Sequence, residues 1–323
     1  MQTLILDLVT QPVSLIAAKS AELLSRGGLV IFPTETVYGI GADPYNLEAV
    51  ERIFQIKGRK RDNPLIFHIS NLDMLSELAY VPKSVETVIE EFMPGPLTLV
   101  FKSKIERKYT FGLDTVAVRM PDNLIALEMI EKFGKPVVAP SANISGKPSG
   151  TDFLHVFEDF NGKVDLIING GTTVFGIEST VIDVTGESFM LLRAGAVALE
   201  DLQEKGVFVY APEKEHLLKR SPGTRYKHYA PNALVIPFET EEELILKMEV
   251  FKDKKSALIG IHTTSKEFAK KIIFNDVNEY ARFLYSTFRY LDALKIEVIF
   301  AEMPDNRGIG LAVRDRIKRA SEN

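Results

Sequence analysis

LVIFPTETVYGIGADPYN, residues 29–46, opens on four apolar residues and then sets two prolines, two threonines and two glycines into the next fourteen positions. The run Leu29 to Phe32 reads as a buried strand, and the stretch behind it reads as a turn-rich loop. So many special residues directly after a buried strand point to a site rather than a linker.

The same alternation continues outward. Short apolar runs recur as PLIFHI at 64, LTLVFKS at 97, TVAVRMP at 115, PVVAPS at 136, DLIING at 165 and STVIDVT at 179. Amphipathic segments separate them. In NLEAVERIFQIK, Leu47, Val50, Ile53 and Phe54 fall at helical spacing behind a candidate Asn46 cap. Residues 1–210 are therefore predicted to form one mixed α/β domain. Residues 211–231 carry charge, three prolines and a glycine without an apolar period, and read as a linker. Beyond it ALVIPF, SALIGI and EVIFAE alternate with helical runs near 241–250, 278–294 and 309–320, which predicts a smaller βαβ-type, Rossmann-like domain over 232–323.

Length agrees, since 323 residues at about 150 per domain suggest two domains. The composition, 46% apolar and 26% charged, provides for a large core. A net charge of -5 argues against a protein that coats nucleic acid. Absence of cysteine excludes disulfides and thiolate chemistry. The start MQTLILDLVT lacks a basic region, and no apolar run approaches the ~18 residues of a membrane span, so a cytoplasmic protein is expected.

Four segments are candidates for chemistry. KGRKRDNP at 57–64 places Lys57, Arg59, Lys60 and Arg61 between a helix and a strand, where forked cations suit phosphate oxygens; a solvated basic turn is the plain alternative. Strand alternation sets Thr115, Ala117 and Arg119 on one face, and Arg193 stands in an apolar context before a glycine turn, so both arginines suit a shared anion. VVAPSANISGKPSGT at 137–151 and NGGTTVFGIEST at 169–180 are loops of small donors that suit phosphate or ribose, or simply turns. His68 is either a satisfied strand histidine or a donor to a substrate hydroxyl. No G-x-x-x-x-G-K-[ST], H-E-x-x-H or G-x-S-x-G is present, and GIGLAV at 308 is only a partial glycine motif. These residues lead to an α/β enzyme acting on a phosphorylated small molecule, and no further.

PTETVYGIGAD, KGRKRDNPL, PGPLTLVF, VAVRMPDN, APSANISGKPSGT and GIESTVID, in this order, resemble the YrdC-like family over residues 12–210. The linker SPGTRYKHYAP and the tail RGIGLAVRDRIKRAS resemble its two-domain form, the L-threonylcarbamoyl-AMP synthases. That resemblance implies a twisted, partly curled, mixed sheet with helices whose concave face holds substrates. It also implies a reaction in which L-threonine, bicarbonate or CO2, and ATP with Mg2+ give threonylcarbamoyl-adenylate and pyrophosphate. A tRNA threonylcarbamoyl transferase would then receive the product, for modification of an adenosine beside the anticodon. The metal ligands are not implied.

Carried over residue by residue, the resemblance assigns Lys57 and Arg59 to catalysis at the triphosphate with Asn63 nearby. Thr115, Ser141, Asn143, Ser149, Arg193 and Tyr229 go to the rest of the ATP, and Thr36, His68, Arg119 and Ser179 to threonine. No protein nucleophile is needed, because a carbamate oxygen attacking the α-phosphate requires in-line positioning and cations. Arg119 suits the amino-acid carboxylate as a fork. The glycines of the opening stretch are expected to let its loop fold tightly, bringing Thr36 and Tyr38 to the pocket edge. The linker, with Tyr226, His228 and Tyr229, is the expected lid over a water-sensitive intermediate.

Two other readings are carried forward. One is an RNA-binding module built on KGRKR, although stable nucleic-acid binding is not expected. The other is a carbamoyl-phosphate-using relative, whose metallocentre-assembly type carries zinc-binding cysteines that this chain lacks.

Overall fold

The run at 29–32 forms a strand, and the loop behind it contains a second strand that sequence reading left in the loop. A computed structural model describes residues 2–61, 64–210 and 229–322. From the N-terminus come β1 (Leu4–Asp7), α1 (Val13–Ser25), β2 (Val30–Phe32), β3 (Gly39–Gly41), α2 (Leu47–Lys57), β4 (Ile66–His68), α3 (Leu72–Leu78), β5 (Ala79–Tyr80) and α4 (Glu86–Phe92). There follow β6 (Leu97–Ser103), β7 (Thr115–Arg119), α5 (Leu124–Phe133), β8 (Val137–Ala139), α6 (Phe153–Phe160), β9 (Leu166–Asn169), β10 (Thr180–Asp183), β11 (Phe189–Arg193), α7 (Leu199–Glu204) and β12 (Val209–Tyr210). The C-terminal part comprises β13 (Leu234–Phe238), α8 (Glu241–Val250), β14 (Ser256–Gly260), β15 (Lys270–Ile273), α9 (Val277–Ala293), β16 (Val298–Glu302) and α10 (Gly310–Ser321).

Two sheets share the first part. One runs β1-β9-β2-β3, and the other runs β12-β11-β10-β6-β7-β4-β8, with β5 paired to β6. Bridges Gly39 to Ser141 and Ala42 to Val138 join β3 to the β8 side, so the two sheets curl into one another. Pairing is mixed: β4 runs parallel to β7 and antiparallel to β8, and β10 runs parallel to β6 and antiparallel to β11. This is the curled, mixed α/β sheet that the resemblance implies.

The glycines of β3 serve packing rather than a tight turn. A Cβ at Gly41 would lie 2.8 Å from Val137 Cγ1 and 2.9 Å from the Phe32 ring. Only a bare backbone fits there. Tyr38, fully buried, donates its hydroxyl to Gly171 O at 2.7 Å and accepts from Gly170 N, which pins the loop to the end of β9.

The C-terminal sheet, β13-β16-β14-β15, is parallel throughout. Its helices α9 and α10 pack onto the first part through a shared apolar cluster that includes Val37, Ile177, Tyr229, Tyr285 and Ile317. At Gly176 (φ +71°) the two parts come so close that a Cβ would run into the backbone of Arg282. Of the linker, residues 211–228 lie outside the described residues, and with them the expectations for Tyr226 and His228.

Candidate active site

The cleft lies where β3, β4, β7, β8 and β10 present their ends to the loops that follow them. Its lining includes Thr36, Lys57, Arg59, His68, Arg119, Ser141, Asn143, Ser179, Arg193 and Tyr229. Ten of the carried-over residues are thus brought together. Thr115 and Ser149 are not on this lining, and Asn63 lies outside the described residues. Thr115 starts β7, on the Arg119 face but four residues away, beside a separate hollow lined by Phe67 and Phe111. Ser149 is fully buried and donates to Glu178 Oε1 at 2.7 Å, so it supports a lining residue from behind.

Lys57 is the last residue of α2 rather than a loop residue, a helix started by Asn46 accepting Ala49 N–H and stopped by Gly58 in the left-handed region (φ 63°). Its ammonium donates to Ser141 O (2.5 Å), Asn143 O (2.6 Å) and Asn143 Oδ1 (3.4 Å). Burial and then Arg59 draw its pKa well below the lysine range, against Asp159 and Glu178, which act to raise it. With its contacts to Ser141 O and Asn143, the group stands at the floor of the 141–147 loop and fixes its shape. Arg59 Nη2 donates to Pro64 O at 3.1 Å, whereas Arg61 turns away to pair with Glu51 and Lys60 is exposed. The basic run thus divides into two cleft cations and two surface ones.

At the other end of the cleft, β4 and β7 set His68 beside Arg119 in register. The His68 ring, Nδ1 3.2 Å from Ile66 O, has its pKa drawn down to about 3 by burial and by Arg119, so it is neutral at pH 7. Arg119 is held by Gly95 O through Nε (3.3 Å) and by Glu35 through Nη2 (2.8 Å). Thr36 Oγ1 lies 2.9 Å from Thr34 Oγ1. Ser179 Oγ lies 2.7 Å from Thr98 Oγ1 and accepts from Arg193 Nη2 at 3.0 Å. Arg193 also donates Nε to Ser179 O at 3.1 Å.

Two buried acids escaped the sequence reading. Glu178 stands beside the chosen Ser179 in GIESTVID and accepts from Ser149, Tyr285 (3.0 Å) and Arg316 (2.9 Å). Burial acts to raise its pKa, but Arg316, Arg193 and these donors bring it down to about 2. Glu35 stands between Thr34 and Thr36. Neither stood out in the sequence, because each shares its motif with a second acid, Asp43 in PTETVYGIGAD and Asp183 in GIESTVID. Tyr229 (φ 70°) stacks on Tyr285, centroids 5.4 Å apart, with the Arg316 guanidinium 5.1 Å from its ring centroid. The C-terminal helices α9 and α10 therefore seat one wall of the cleft.

This arrangement offers cations and donors at one end and a guanidinium, a neutral imidazole and hydroxyls at the other. It contains no base-activated nucleophile among the described residues. It suits a zwitterion placed in line with a polyphosphate.

Comparison with known proteins accords with this geometry. Residues 22–195 match the telomere recombination family model that groups Sua5, YciO and YrdC, and residues 195–322 match the model of the threonylcarbamoyl-AMP synthase C-terminal domain. The threonylcarbamoyl-AMP synthase of Pyrococcus abyssi is 44% identical over 94% of this chain and 93% of its own length. That of Bacillus subtilis is 37% identical over 94% and 92%. The crystal structure of P. abyssi Sua5 complexed with L-threonine superposes with a TM-score of 0.90 at 41% identity, covering 99% of this chain and 98% of that one.

Proposed function

The chain belongs to the threonylcarbamoyl-AMP synthases of the Sua5/YciO/YrdC family, adenylyl-transferring enzymes, and from that membership we propose how its cleft divides the work. L-Threonine lies at the Arg119 end, with its carboxylate on the guanidinium and its hydroxyl near neutral His68, Thr36 and Ser179. ATP lies along Lys57, Arg59, Ser141, Asn143 and Arg193, with Tyr229 against the nucleotide or the intermediate as the lid's contact.

The amine of threonine attacks the carbon of CO2, free or derived from bicarbonate, and loses a proton to give the carbamate. A carbamate oxygen then attacks the α-phosphorus of ATP, the bond to the β-phosphate oxygen breaks, and pyrophosphate leaves. The protein's share is to hold both reactants in line and to face the growing negative charge with fixed cations. Mg2+ carried in with the ATP phosphates would supply further positive charge there. No group of three or more metal-ligating side chains occurs among the described residues, and Glu178, the carboxylate on the lining, is already taken by three donors. We assign no protein ligand to the ion.

Among the described residues no helix is long and apolar enough to cross a membrane. The reading places the reaction in the cytoplasm, with hand-over of the adenylate to a tRNA threonylcarbamoyl transferase. Bare tRNA held tightly in a salt-sensitive manner on filters would instead favour the RNA-binding alternative.

The observation that carries this reading is the pairing of Arg119 with a neutral His68 at the end of a cleft whose other end is cationic. Arg119→Gln should raise KM for L-threonine about tenfold or more, the range for losing a charged hydrogen-bond partner, with KM for ATP unmoved. An unchanged threonine KM contradicts the assignment.

A further inference from the structure

Glu35 and Arg119 form a buried pair, their side chains 5% and 4% exposed, with Nη2 2.8 Å from Oε1. Neither carboxylate oxygen, nor Nη2, has a well-aligned hydrogen bond among the described residues. No other cation of the described residues lies within ion-pair distance of Glu35. Its backbone carbonyl accepts from Val174 N (3.0 Å) and Phe175 N (2.9 Å), which fixes the loop on which it stands. Arg119 faces the cleft, while Glu35 is absent from the lining and stands behind it.

A carboxylate is costly to bury and is retained only for a partner. Its partner here is the guanidinium at the threonine end of a cleft that also contains Lys57, Arg59 and Arg193. An unpaired buried guanidinium at that place would attract any small anion, and a polyphosphate most strongly. Paired with Glu35, Arg119 carries little net charge into the cleft, yet part of its fork remains for a planar carboxylate. Attraction by charge is reduced, and selection by shape remains.

We propose that Glu35 is a positioning and specificity-determining residue that reserves Arg119 for an amino-acid carboxylate by neutralising it against phosphate anions. The inference rests on the reading that L-threonine binds at Arg119. Glu35 touches no substrate and acts through the guanidinium alone.

The probe is inorganic phosphate, used as an inhibitor of the full chain while L-threonine and ATP are varied in turn. In the parent protein phosphate competes with ATP and not with L-threonine. In Glu35→Gln, which keeps the shape and removes the charge, phosphate should also compete with L-threonine. Phosphate at a fixed concentration should raise the apparent threonine KM of Glu35→Gln about tenfold and leave that of the parent unmoved, because the released guanidinium now takes phosphate. Glu35→Asp, which restores the charge one methylene short, should recover part of the parent behaviour. If Glu35→Gln fails to fold, Glu35→Asp carries the test alone: its longer reach to Arg119 should leave weak but measurable competition between phosphate and L-threonine, where the parent has none. A folded variant with no such competition overturns the inference. If Arg119→Gln raises the threonine KM while the Glu35 variants show no such competition, this inference fails alone; if Arg119→Gln does not, the threonine assignment has failed first.

Discussion

At Lys57 one cation shapes a loop as well as meeting an anion, because its three N–H groups go to Ser141 O, Asn143 O and Asn143 Oδ1. Lys57→Met should therefore loosen the 141–147 backbone as well as weaken ATP binding. Hydrogen exchange at Ser145 N, which donates to Lys57 O at 2.7 Å, and KM for ATP should rise together; a change in KM alone would argue that the loop holds itself. His68 gives a prediction with a definite sign. Its folded pKa, about 3, lies below the ordinary 6.5, so the unfolded chain binds the extra proton between those values. The stability tied to His68 is complete above pH ~6.5 and is lost as pH falls toward 3. In His68→Gln the urea midpoint should fall less steeply across that window; an identical slope would mean His68 is not buried neutral. The cation types were legible in the sequence because each broke an apolar or glycine-rich pattern. Glu35 and Glu178 were not, since what makes an acid informative is which cation it meets, and Arg316 is 138 positions from Glu178.

At the scale of elements, apolar period served well where strands and helices are regular. LTLVFKS is β6 residue for residue, and the helical run at 241–250 is α8. It failed at β3, whose Gly-Ile-Gly carries no strand signal because its reason is the Phe32 ring and Val137 packed over it. Gly41→Ala should destabilise the fold by ~1–3 kcal/mol, the usual cost of overpacking, seen as a lower denaturant midpoint with unchanged slope. A neutral result would show that the β3–β8 junction can spread. Thr115 illustrates the opposite limit: alternation put it on the correct face, but position along the strand took it away from the cleft.

For the whole molecule, the contact between the two parts is a buried polar centre rather than an apolar patch alone. Arg316, fully buried on α10, and Tyr285 on α9 meet Glu178, and Tyr229 stacks beside them. Breaking such a pair leaves a buried charge, so Arg316→Met should cost about 3–5 kcal/mol and raise KM for ATP through Tyr229. Glu178→Gln with Arg316→Met should recover much of the stability; failure to recover would mean that Arg316 acts through Asp315 or Ala194 O instead. That α/β parts lie on both sides of residues 211–231 was readable from the apolar runs there, but the seating of Tyr229 was not, because it depends on helices more than fifty residues downstream. The central claim is that this cleft adenylates a carbamate made from threonine. Its most direct test is pyrophosphate release by the purified chain with ATP and Mg2+, adding and withholding L-threonine and bicarbonate in turn. Release that requires both is the predicted result; release with neither, or only with carbamoyl phosphate, would contradict it.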